Sequence, residues 1–373
     1  MRGRKWLPLL ALAAVLAAAA GVTLRAQQGP LPPVNGPGQL GPKPPVGSGG
    51  CSVTAPTCAD VAPAIIRSAL GPSPLQHNIH YLTRVTGAAG NGPAAQEQVL
   101  QWAVQAFRQA GVDQVRLETY TMPPWARTLS PHPAGGRLRA ANVVAEIRGR
   151  EEPDEFVILG ADLDAGNSGA EAADDARNAA LVIDAARAIH AAGTRPARSI
   201  RFILFTGKKQ GDAGTWAYVR AHRSELNQAD AVIIYDAGDG PVSGYDLSGR
   251  RSLEAPLRKA LAPAAQFGAS HDVYTARMGA DNFDFLLEGV PTLVAASRSG
   301  SPAPGNADPA ELKRNVALAA LTAYGIADLP ERLGKRQTRP EIEELLERTG
   351  LENKMKKSEI WSEWRRGERG RPR

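Results

Sequence analysis

The stretch 199–214, "SIRFILFTGKKQGDAG", decides the fold. Its first seven residues are apolar apart from Ser199 and Arg201, too short for a bilayer and rich in the residue types that fill a strand buried on both faces. "TGKKQG" then breaks the run with two glycines and two lysines, so the strand ends in a polar loop. Two further segments repeat this plan. "FVILGA" (156–161) runs into "DLDAG", and "AVIIYDAG" (231–238) into "DG". Between them lie helical patterns: "NAALVIDAARAIHAAG" (178–193), "WAYVRAHRSEL" and "PLRKALAPAA". Strands alternating with helices predict an α/β three-layer sandwich with a mostly parallel central sheet. "ANVVAEIRG" (141–149) adds an alternating strand, and "FDFLLEGVPTLVAAS" a short helix followed by another strand. In such sheets chemistry gathers at the carboxyl ends of the strands, where the Asp- and Lys-bearing loops fall.

Working outward, residues 61–110 read as helical. "AAQEQVLQWAVQAFRQAG" places Val99, Leu100, Ala103, Val104 and Phe107 on one face, with Gly111 to end it. Residues 339–364 also read as helices, and "RRGERGRPR" as a frayed, solvated basic end. A contact between this end and an anionic surface or partner is the alternative.

The N-terminus reads as an export signal over residues 1–26. Arg2, Arg4 and Lys5 precede the apolar run "WLPLLALAAVLAAAAGV", and "LRA" offers a cleavage site, although Leu24 is larger than the small residue preferred there. The alternative is an uncleaved membrane anchor. Either way the chain is expected to be exported, to the periplasm or beyond. Residues 27–60 are a Pro/Gly-rich linker that cannot bury a core, ending with Cys51 and Cys58. Those two either pair in an oxidising compartment or stay as two thiols. Residues 61–330 form the main domain, and 331–373 a helical, basic tail.

The net charge of +6 describes the ends of the chain. Residues 354–373 hold eight basic against three acidic residues and the first 26 hold four basic ones, which leaves 27–353 at about −3. No basic nucleic-acid groove is implied.

The motifs "VILGADLDAG", "EAADDARNAALVIDAARAI", "RPARSIRFILFTGKKQGDAGTWAYVRAH", "VIIYDAGDG" and "GADNFDFLLEGVPTLVA" resemble, in this order, those of the dinuclear zinc exopeptidases of the aminopeptidase and carboxypeptidase Q type. The resemblance covers residues 75–330. It implies a site where two zinc ions share a bridging carboxylate and a water, with a glutamate as general base. Carried over residue by residue, Asp162 stands where a histidine ligand is expected and Asp164 at the position that orients it. Asp174 matches the bridging carboxylate, often followed by a cis peptide, and Asp236 matches a further ligand. Lys208 replaces the general base, and Lys209 a ligand glutamate. The last histidine is missing from "ASRSGSPAPGNADPAEL", and at Asn282, its place in the plainer aminopeptidases, there is none either. The remaining histidines, His77, His80, His132, His190, His222 and His271, offer no substitute pattern.

A lysine ammonium has no lone pair to give a metal, and two zinc ions beside two ammoniums would repel. Asp162, Asp174 and Asp236 against Lys208 and Lys209 come close to neutral without metal. The expectation is therefore that zinc, the cofactor of the resembling family, is not used here, that the lysines pair with the carboxylates, and that the chain is an inactive homologue binding peptides or a protein partner. The alternative is an active metallopeptidase using Asp162, Asp174 and Asp236, a set better suited to Mg, Ca or Mn. A Ser/Lys hydrolase is disfavoured because no serine adjoins Lys208 or Lys209.

Overall fold

The computed structural model describes residues 55–88, 93–123, 125–126, 140–164, 170–237, 240–297 and 308–372. The export segment, most of the linker, Cys51 and His132 lie outside them.

Seven strands form one sheet: β1 (Gln114–Tyr120), β2 (Ala140–Ile147), β3 (Glu152–Asp162), β4 (Arg198–Phe205), β5 (Ala229–Ile234), β6 (Val242–Asp246) and β7 (Thr292–Ser297). Their order is β1-β2-β4-β3-β5-β7-β6. The four central strands β4, β3, β5 and β7 run parallel, and the flanking pairings β1–β2, β2–β4 and β6–β7 are antiparallel. The helices are α1 (Cys58–Leu70), α2 (Leu75–Ala88), α3 (Pro93–Gln109), α4 (Ala170–Ala191), α5 (Ala213–Ala221), α6 (Glu254–Ala260), α7 (Phe283–Leu287), α8 (Pro309–Ala327), α9 (Arg339–Arg348), α10 (Leu351–Met355) and α11 (Ile360–Arg366).

The period-two geometry of β4 explains the layers. Ile200, Phe202 and Leu204 point to one face, and Ile203 and Phe205 to the other; all are buried. The first face packs against α1–α4 and α8 in one continuous apolar cluster. The second packs against α5 and α7 through Tyr218, Val219 and Phe285. With both faces covered, the central strands need apolar middles, which is how 156–161, 202–205 and 231–234 read.

Helix α8 was not readable as an amphipathic pattern. Nearly every side chain from Asn315 to Ala327 is buried, so it has no polar stripe to set a period. Its start carries ordinary signals: Asp308 accepts a hydrogen bond from the Ala310 N–H at 2.9 Å, and Pro309 follows it.

The C-terminal end corrects the sequence reading most. It is not a frayed, solvated tail. Helices α9–α11 build a third apolar cluster with Phe283, Leu286 and Leu287, sealed by Trp364. Arg369, only 4 % exposed, makes a two-pronged ion pair with Asp284 at 2.6 and 2.8 Å. The Arg371 N–H donates to Leu287 O at 2.9 Å, and Arg339 caps the turn by donating to Trp364 O and Arg371 O at 2.7 Å each. The basic composition misled because two of these arginines are used internally.

Helix α1 begins at Cys58, inside the expected linker. Burial, with the carboxylate of Asp328, pushes the Cys58 thiol up to about 12. Its pairing with Cys51 falls outside the described residues.

Replacing Arg369 by Ala leaves the buried Asp284 carboxylate uncompensated and should cost about 3–5 kcal/mol, read from denaturant unfolding; the double change Arg369→Leu/Asp284→Leu should cost clearly less.

Candidate functional site

Parallel register places the site. Asp162 ends β3 directly beside Phe205, the end of β4, and Gly160 pairs with Ile234 at the end of β5. Three loops therefore leave the sheet side by side. They carry Asp162 and Asp164, Lys208 and Lys209, and Asp236.

The lysine loop is held by backbone bonds. The Asp164 carboxylate accepts the Gly207 N–H at 2.6 Å and the Lys209 N–H at 3.4 Å. Gly207 has φ +82°, and a Cβ there would meet the Tyr120 hydroxyl at 2.9 Å, so only glycine makes this turn without strain. Asn142 reaches up from β2, accepting the Thr206 N–H at 3.1 Å and donating to Gly214 O at 2.9 Å. Asp164, which has no histidine to orient, acts on the loop backbone instead.

The loop delivers the Lys208 ammonium to a point 3.6 Å from Asp162 Oδ2 and 3.6 Å from Asp236 Oδ1. Burial works against this ammonium. The carboxylates of Asp162, Asp236, Asp281 and Asp175 outweigh it and hold the lysine above its ordinary range. Asp162 is buried, and among the described residues neither of its oxygens accepts a hydrogen bond. Burial, then the neighbouring Asp164 and Asp281, push its carboxyl well up, and Lys208 opposes them. At 3.6 Å the contact is ionic, not a hydrogen bond. The surrounding carboxylates keep Lys208 charged.

The other expected residues fall differently. Lys209 is exposed and contributes its backbone N–H to Asp164. Asp174 lies in the first turns of α4 and pairs with Arg177, so the expected balance of three aspartates against two lysines is replaced by a finer one. The carboxylate on α4 that acts on Asp162 and Lys208 is Asp175. The peptide between Asp174 and Asp175 is trans, in regular helix, not cis. Asn282 is buried and donates to Ser248 Oγ at 3.0 Å. His77 and His80 lie exposed on α2. His190 packs against Gly111, and His222 bridges Glu118 and Glu225 at 2.8 and 3.0 Å. His271 sits in a loop, its N–H donating to Ser243 O.

Sequence reading missed a second acidic tier beneath the lysine. Asp281 accepts from Thr215 Oγ1 at 2.7 Å, and burial pushes it to about 6. Asp212, before α5, has φ 60° and one oxygen with no hydrogen-bond partner among the described residues. Burial, then Asp281 and Asp284, push it to about 8. Asp284 is the partner of Arg369. The signal was present in "GADNFDF" and "QGDAG", but nothing in the sequence linked those aspartates to an arginine near the C-terminus.

Residues 142–311 match the profile of Peptidase family M28. That segment, a little under half of the chain, is similar to the M28 peptidases. Carboxypeptidase Q of Rattus norvegicus is 26 % identical over 201 residues, 52 % of this chain and 42 % of the relative. The chain therefore spans less than half the length of that curated relative. Transferrin receptor protein 2 of Homo sapiens is 32 % identical over 108 residues, 28 % of this chain and 13 % of that protein. A solved structure described as a peptidase M28 precursor from Shewanella amazonensis superposes with a TM-score of 0.62 at 18 % identity, covering 75 % of this chain and 99 % of that one. Its likeness carries the fold.

The zinc pair implied by the M28 family does not fit the residues present. The Lys208 ammonium lies between two of the carboxylates that correspond to ligands, a third is paired with Arg177, and Lys209 stands in place of a glutamate. Among the described residues no group of three or more His, Cys, Asp or Glu is arranged to hold a metal ion.

Asp212 offers a direct check on the acidic tier. A carboxyl whose pKa rises from 3.8 unfolded to about 8 folded keeps a proton that the unfolded chain loses. Its contribution to stability therefore falls as pH rises through that window. Asp212→Asn mimics the protonated form and tolerates the left-handed backbone. Its melting temperature should match wild type near pH 4 and exceed it by a few degrees above pH 8, about 1–2 kcal/mol.

Proposed function

We propose that this chain is an exported relative of the zinc exopeptidases that has lost peptide hydrolysis and serves as a binding module for peptides in the former substrate cleft. One observation carries this reading: the Lys208 ammonium sits 3.6 Å from both Asp162 and Asp236, on the ground between two carboxylates that correspond to metal ligands. A protonated lysine cannot take a proton from water, so the position that corresponds to the general base cannot serve as one. The neighbouring carboxylates keep the lysine protonated. That one curated relative bears a receptor's name, not a peptidase's, is in keeping with this reading. Export rests on the N-terminal segment of the sequence. Among the described residues no helix is long and apolar enough to cross a membrane.

The oxygens of Asp162, which accept no hydrogen bond among the described residues, favour a second reading, an active metallopeptidase with a single hard cation on Asp162, Asp174 and Asp236. The two readings part on one experiment. The full chain, incubated with zinc or manganese and desalted, is assayed for bound metal and for aminopeptidase and dipeptidase turnover. We expect metal well below one equivalent and no turnover. Stoichiometric metal together with turnover would establish the second reading.

A further inference from the structure

Beside the lysine, a cleft of about 160 Å³ opens between the Asp236 loop, β6, β7 and the turn before α7. Ala280, with Val294 and Ala296 from one face of β7, gives it small apolar groups. Two carboxylates, Asp236 and Asp246, and the amide of Asn282 also line it.

The polar groups are short of donors. Asn282 is 2 % exposed and uses its N–H on Ser248 Oγ, while its carbonyl oxygen has no partner among the described residues. Asp236 is 42 % exposed at its side chain, and the ammonium it faces is shared with Asp162. Asp246 accepts the Ser248 N–H at 3.0 Å and the Thr275 hydroxyl. The free-swinging cation here is Arg277: its Nε lies 3.9 Å from Asp246 Oδ2, beyond hydrogen-bond reach, and its side chain is 72 % exposed. It is a loosely held counter-ion that can leave for water.

We propose that this cleft takes the basic side chain, lysine or arginine, of a peptide, with the aliphatic stem against Ala280, Val294 and Ala296 and the cationic head between Asp236 and Asp246 in place of Arg277. An amphipathic cation matches a lining that combines small apolar groups with acceptors. The inference rests on the binding reading above and names the ligand chemistry of that site.

The test uses probes without a peptide bond. The full chain is titrated with n-propylguanidinium, n-butylammonium, n-butyrate and n-butanol at matched ionic strength, and the melting temperature is followed. Both cations should raise it saturably; the anion and the alcohol should not. Asp246→Asn should weaken cation binding about fivefold, the upper end of the scale for an ion pair whose cation stays open to solvent. Because Asp246 also holds the Ser248 turn, Asp236→Asn serves as the second variant and should weaken binding similarly. Arg277→Ala should tighten it by removing the internal competitor. Saturable butyrate binding, no cation binding, unchanged affinity in both aspartate variants, or an Arg277→Ala protein no tighter for cations would each overturn the proposal. Failure here leaves the loss of hydrolysis standing. Turnover with metal would remove that reading and leave the cleft's preference to these titrations.

Discussion

Everything at the carboxyl end of the sheet depends on one ammonium group. Lys208 stands where three parallel strands end, and the carboxylates around it would repel one another without a positive charge in their midst. Two features fix its place. The Asp164 carboxylate ties down the loop backbone on either side of it, and Asn142 ties the loop to β2. The charge is therefore presented by a rigid turn, as a metal ion would be presented by rigid ligands. The chain itself thus supplies positive charge among the carboxylates at the strand ends.

The second dependence runs to the C-terminus. Asp284 and Asp212 lie below the lysine tier, and Arg369 supplies their positive partner from the other end of the chain. Two cations brought from residues 208 and 369 thus divide one acidic interior between them. The acids left over, Asp212 and Asp281 among them, respond by holding protons more tightly. The same low dielectric makes each pair expensive to break and each spare carboxylate reluctant to ionise.

The fold was readable because β3, β4 and β5 are apolar on both faces and end in polar loops, a pattern that needs helices on both sides. Asp162, Lys208 and Asp236 were readable as neighbours for the same reason: strand ends in a parallel sheet converge. What could not be read follows from chemistry without local period. Helix α8 is buried all round. Strand β1, "QVRLETY", is half exposed and polar at alternate positions, and was not distinguished from its surroundings. Asp174 and Asp175 are adjacent, and only the helix's rotation decides which faces the lysine and which faces Arg177. The tail's arginines looked like solvated charge because sequence composition does not show a partner 85 residues away.

The central claim is that Lys208 is the counter-ion of the carboxylates at the strand ends. The most direct measurement is the unfolding free energy of Lys208→Met beside Lys208→Met/Asp162→Asn at pH 7. With Lys208 21 % exposed at its side chain, the single change should cost about 2–3 kcal/mol, below the value for a fully buried pair. Neutralising Asp162 in that background should recover most of the loss. A Lys208→Met protein as stable as wild type would contradict the account.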